Sequence, residues 1–238
     1  MQRFEMKDRT TIKTDHRRRE GASQNRRGAS QKGSFMVEFA LVGWTLFFLM
    51  AGVLQVGLNL NRAMTAAEVA NDANVLQVRG IDLSQTVNQA LIVRAGASLG
   101  LNQSGTWNAD PNGTAAVYIS QVMLVGPLEC GNGVANFDGT TTTCPNLNKY
   151  VITYRIGIGN TSRWASVIGT PASTPAANGK ISDANICTVT GNVTTAFPTD
   201  LALNPDNFTY VSEVFADTSN INFFNFLTPA NIYMRNLK

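Results

Sequence analysis

The sequence predicts an α+β protein: one long N-terminal helix, partly membrane-spanning, that continues into a loop-rich head carrying a small, mainly antiparallel β-sheet. Three observations predict it. The chain runs without a formal charge from Phe39 to Leu58, alanines recur at helical spacing just beyond that run, and the second half alternates Val/Ile/Tyr/Phe-rich stretches with Gly, Asn, Thr and Pro segments. At 238 residues there is room for one real core plus extensions.

Within Phe39–Leu58 only Thr45 and Gln55 interrupt the apolar and glycine positions, and eleven positions are Phe, Leu or Val. A bilayer span needs about 20 such residues. At roughly −0.3 to −0.6 kcal/mol each, the eleven large apolar residues supply about 3 to 7 kcal/mol favouring insertion. Core helices of soluble domains seldom stay uncharged for so long. A cleavable secretory signal would have an apolar region of about 7 to 15 residues closed by a small-x-small site. Here the run is longer and Asn59-Leu60-Asn61-Arg62 follows it. Arg17-Arg18-Arg19 does not make a twin-arginine signal, because Glu20-Gly21-Ala22 follows and the apolar run begins far downstream.

Charge is unevenly spread. Residues 1–33 hold ten Lys/Arg against four Asp/Glu, a net +6, whereas residues 34–238 hold nine against twelve, a net −3. Arg26, Arg27 and Lys32 precede the span and only Arg62 follows it closely, so the positive-inside rule keeps the N-terminal arm in the cytoplasm and exports the rest. Topology accounts for the basic arm. Its Lys and Arg are not interleaved with aromatics, Phe4 excepted, and no nucleic-acid partner is expected.

The junction Gly33-Ser34-Phe35-Met36-Val37-Glu38-Phe39-Ala40-Leu41-Val42 ends the basic arm in Gly and sets a lone carboxylate five residues later, at the edge of the span. A charge costs roughly 2.5 to 3.5 kcal/mol at the centre of a membrane helix and less near the interface, so a carboxylate kept here points to a role. The arrangement resembles the prepilin processing site, at which a membrane aspartyl peptidase cuts after the Gly. The run Val37-Glu38-Phe39-Ala40-Leu41-Val42 is similar to the TadE-like family, minor pilins or pseudopilins of the tight-adherence (Tad/Flp) pilus. It does not follow the Gly-Phe-Thr-Leu-Ile-Glu pattern of type IVa pilins. Weaker likeness extends to Arg155–Asn160, Ser212–Phe215, Ile232, Tyr233 and Arg235. Where the family often carries a Pro, this chain has Gly43-Trp44, so no proline kink is implied.

The resemblance implies a pilin-like fold and a structural, non-catalytic subunit. It implies processing between Gly33 and Ser34, and Glu38 and Phe39 as assembly and recognition residues. It also implies three partners: a prepilin peptidase, other pilin and pilus-assembly subunits, and membrane lipid. The expected place is the bacterial inner membrane, with the head extracytoplasmic, or a surface pilus. The organisation expected is a basic leader over 1–33, a transmembrane and extended helix over 34–80, and a head over 81–238. The competing reading is an unprocessed single-pass protein with an extracytoplasmic binding head.

Past the span, Ala63, Ala66, Ala67, Ala70 and Ala73 form a small-residue stripe that suits either the head or other subunits, and Gly80 ends the helix. A second helix is expected from Ser84, as N-cap, to Leu99, with Gly100 as its stop. Strands are expected over 116–125, 150–158 and 208–215, with a weaker one near Ile232–Met234. Cys130 and Cys144 flank a polar loop, and in an oxidising exterior a bridge between them would contribute about 3 kcal/mol. Cys187 is then left free, although its pairing with either of the others is also open. The sole histidine, His16, lies in the basic arm, so Ser-His-Asp and Cys-His catalysis and a histidine-containing zinc site have nothing to draw on downstream. The carboxylates there are irregularly spaced, and no phosphate-loop or dinucleotide fingerprint occurs. No enzyme activity, cofactor or metal is expected.

Overall fold

A computed structural model describes residues 11–102, 107–198, 201–218 and 231–238, with side chains from Phe35 onward. The elements in order are α1 (Thr11–Val78), α2 (Thr86–Ala95), β1 (Ala115–Leu124), α3 (Pro127–Gly133), β2 (Tyr150–Gly159), α4 (Asp183–Thr188), β3 (Phe208–Asp217) and β4 (Asn231–Leu237), with 3-10 turns at Ala97–Leu99 and Thr190–Asn192. The chain divides into two compact units, Met1–Leu54 and Gln55–Lys238.

Helix α1 is unbroken through Gly43-Trp44, as expected where no proline removes a backbone donor. Its backbone is helical from Thr11, the first described residue, upstream of the expected start at Ser34. Residues 11–34 contain no proline and five arginines, which are good helix formers. The C-terminus is closed as the sequence requires. Gly80 takes φ +76°, its N–H donates to Gln77 O at 2.9 Å, and Ile81 N–H donates to Leu76 O at 3.1 Å. This is the Schellman pattern, with Leu76 and Ile81 both packed on the core.

The unit Gln55–Lys238 has a four-stranded antiparallel sheet in the order β2-β1-β3-β4. Alternation assigns its two faces. Val117 pairs with Ile158 on one side and Val214 on the other, and Ala216 with Ile232, so these side chains share the face that α1 covers. From α1 come Ala66, Val69, Ala70 and Ala73, at i, i+3, i+4 and i+7, all essentially inaccessible. The alanine stripe therefore belongs to the head's own core, with Ala67 left exposed. Small side chains bring the helix backbone close enough for the Ser212 hydroxyl of β3 to donate to the Ala70 carbonyl.

On the opposite face, Tyr118, Glu213 and Phe215 meet Trp164 and Ser166 from the loop after β2. Glu213 is fully buried, and the Ser166 hydroxyl, the Val167 N–H (2.9 Å) and the Tyr233 hydroxyl (3.0 Å) all donate to its carboxylate. Those donors satisfy the oxygens of a carboxylate that the loop takes out of water.

Two expectations need correction. Ser84 is not an N-cap. Helix α2 begins at Thr86 after Gln85, and the Asp82 carboxylate accepts from both the N–H and the hydroxyl of Ser84, which holds the chain in a turn one residue earlier. The helix also stops at Ala95 rather than Leu99. Gly96 lets Leu101 approach its Cα where a Cβ would clash, and a 3-10 turn then leads to Gly100 at φ +93°.

Replacing Ala70 by Leu should overpack the helix–sheet seam and destabilise the head by about 1 to 3 kcal/mol. Ala67→Leu should stay within about 0.5 kcal/mol. Denaturant titration of the two variants in detergent, followed by circular dichroism, measures both.

Candidate processing and membrane-assembly segment

From Phe35 to Met50 every residue of α1 is exposed, among them Phe35, Met36, Trp44, Leu46 and Leu49. The apolar surface runs around the whole circumference and is not a stripe, which in a helix means either a buried core position or a lipid environment. It is not a buried core position here. The segment Phe35–Val78 is long and apolar enough to cross a membrane, at 44 residues or about 66 Å at 1.5 Å per residue. Of the two polar side chains within Phe39–Leu58, the Thr45 hydroxyl donates back to Leu41 O at 2.9 Å, and Gln55 is fully buried. Trp44 meets Phe48 edge-on at 4.8 Å, the spacing that i and i+4 allow.

Glu38 and Phe39 are exposed and stand at the N-terminal edge of this surface. Gly33 and Ser34 have a helical backbone but lie outside the residues whose side chains are described. Ser34 and Glu38 are one turn apart and so share a helix face.

Residues 33–73 match the family model of TadE-like protein. The TadE-like segment begins on Gly33, takes in Glu38 and the exposed apolar surface, and ends on Ala73, the last alanine of the stripe packed in the core. The weaker likenesses at 155–160, 212–215 and 232–235 fall outside it. Neither the curated proteins nor the solved structures include a match to the chain.

In the head, Cys130 of α3 and Cys144 form a disulfide with Cα atoms 6.0 Å apart, and Cys187 of α4 is free and buried. The bridge and Cys187 hold α3 and α4 side by side in an apolar cluster with Val122, Ile168 and Ile186. The three sulfurs lie within 4.8 Å of one another. Two are consumed by the bridge, which leaves one thiol and no ligand set for a metal. Burial, with Glu129, Asp183 and Asp206 nearby, pushes the Cys187 thiol up from 9.0 to about 11.

Arg155 and Glu213 are the residues whose placement the sequence reading missed, taking one as part of a weak likeness and the other as a scattered carboxylate. The signal was there. Each is a charge inside a strand of mostly apolar and aromatic residues, Arg155 between Tyr154 and Ile156 and Glu213 two residues from both Val211 and Phe215 on its own face.

Two outcomes are expected. Iodoacetamide at pH 8 should leave Cys187 unlabelled in the folded protein and label it after denaturation, with the peptide bridging Cys130 and Cys144 recovered without reductant. The unfolding midpoint should also fall as pH rises from 9.0 toward about 11, because the unfolded thiol ionises there while the folded one does not. Cys187→Ala should make that fall shallower.

Proposed function

We propose that the chain is a minor pilin or pseudopilin of a Tad/Flp-type pilus, a structural subunit that a prepilin peptidase trims between Gly33 and Ser34. The observation that carries this reading is the TadE-like match beginning on Gly33 and covering the exposed apolar helix. The proposed place is the bacterial inner membrane, with the leader cytoplasmic, the head outside and membrane lipid around the span, followed by incorporation among other pilin and pilus-assembly subunits. The charge bias across the span supports this orientation.

Processing has a physical logic. A helical backbone at Gly33-Ser34 has to unwind to enter a peptidase, and glycine lowers the local helical preference by about 1 kcal/mol relative to alanine. Cutting there removes the +6 leader, which would otherwise repel its copies in a bundle. It also frees an ammonium on Ser34 at the positive end of the helix dipole. Glu38 of a neighbouring subunit is the proposed counter-charge, pairing two charges that are each costly in lipid.

N-terminal sequencing of the membrane or pilus fraction tests the reading: Ser34 is expected, and a start at Met1 or Met6 would favour an unprocessed single-pass protein with a binding head. Gly33→Leu should keep the leader attached, which intact mass shows directly. Glu38→Ala should insert normally yet be depleted from sheared pili, and undiminished co-assembly would contradict the counter-charge role.

A further inference from the structure

On the sheet face opposite the alanine stripe, Tyr118 of β1 and Arg155 of β2 form one wall of a groove of about 790 Å³, and the loops after β2 form the other. A volume of this order suits a small ligand. Arg155 is 8% exposed, yet only one of its five N–H donors has a partner among the described residues, Nη2 to Gly169 O at 2.8 Å. Its Nε is buried with none. The guanidinium lies 5.3 Å over the Tyr118 ring, which is itself held by donation from its hydroxyl to the carbonyls of Thr161 and Trp164. The charge that acts most on Arg155 is Glu213, whose carboxylate already accepts from Ser166, Val167 and Tyr233. Arg155 thus has no ion-pair partner among the described residues.

A buried cation with unused donors is costly unless something completes it. The groove offers the place. Among the described residues that line it there are two arginines, Arg155 and Arg163, and no Asp or Glu, in a region whose net charge from residue 34 onward is −3. The rim carries the exposed hydroxyls of Thr161, Thr170 and Thr174. Arg163 is half exposed and pairs with Asp217 at 2.8 Å, a surface contact that a ligand can compete with at little cost. One buried guanidinium presents one planar fork, which a carboxylate meets with two parallel hydrogen bonds, whereas a phosphate dianion would call for further buried cations. Clustered hydroxyls beside an aromatic ring match the hydroxyl and C–H faces of a sugar.

We infer that this groove binds a uronic-acid unit of an acidic glycan, with Arg155 holding the sugar carboxylate and Arg163 adding a second, solvent-screened cation. This assignment is independent of leader processing and of pilus assembly.

The test is isothermal titration of the full chain in neutral detergent with digalacturonate, with the neutral disaccharide of galactose and inorganic phosphate as the comparison arms. Saturable binding of digalacturonate is expected, at least tenfold tighter than either comparison, because a charge-assisted hydrogen bond is lost without the carboxylate. Arg155→Lys should weaken it by about tenfold or more, and Arg163→Gln by a few-fold with an unchanged unfolding midpoint. If Arg155→Lys fails to fold, Arg163→Gln and the two comparison arms decide. No heat from digalacturonate up to about 10 mM, a limit that corresponds to negligible affinity, overturns the proposal. Phosphate or the neutral disaccharide binding equally well also overturns it, as does unchanged affinity in Arg163→Gln together with a folded Arg155→Lys.

Discussion

Sixteen consecutive helical residues, 35–50, are all exposed. Water is a poor solvent for that surface: burying a Val, Leu, Phe or Met side chain is worth about 1.5 to 3 kcal/mol, and leaving a full circumference of them hydrated forfeits that amount many times over. A covering of lipid or of other apolar helices resolves the conflict. The rest of the chain is arranged consistently with this. Of the two polar residues within the apolar run, Thr45 is satisfied by a backbone acceptor and Gln55 is out of water in the head's unit.

One helix thus follows two packing rules in succession. Over residues 35–50 it is large and apolar all round. Beyond Arg62 a narrow stripe of Ala66, Val69, Ala70 and Ala73 faces the sheet, and the remaining sides are polar or exposed. Arg62 itself donates to the carbonyls of Asp217, Thr218 and Ser98, fastening the helix to the end of β3 and to the turn after α2. Small residues at the seam make the head's stability depend on close backbone approach more than on large side chains, and the disulfide between Cys130 and Cys144 supports the loop-rich part that the helix does not reach.

Much of this was legible in the sequence because periodicity and composition carry it. The αL glycine at Gly80 and all four strands fall within a few residues of where turn residues and apolar spacing placed them. The Cys130–Cys144 bridge is the pairing that the polar loop between the two cysteines suggested, with the pairings of Cys187 left open by the sequence. What could not be read was long-range. The helical hairpin-like corner of α3 and α4 joins residues more than fifty apart. The N-terminus of α3 is held by Asp206, whose carboxylate accepts from the N–H groups of Gly126, Leu128 and Glu129 across the fold. Likewise the partners of Glu213 come from two separate segments, the loop after β2 and β4, and no local pattern announces them. The TadE-like segment was recognisable in the sequence because its chemistry is contiguous, a glycine, a carboxylate and a span within a few turns of one helix.

The central claim is that lipid covers the exposed length of α1. Alkaline carbonate extraction of membranes from cells producing the untagged full chain addresses it directly. The protein should remain in the bilayer pellet and be released only by detergent. Recovery of the full-length chain in the carbonate supernatant, as a monomer stable without detergent, would contradict it.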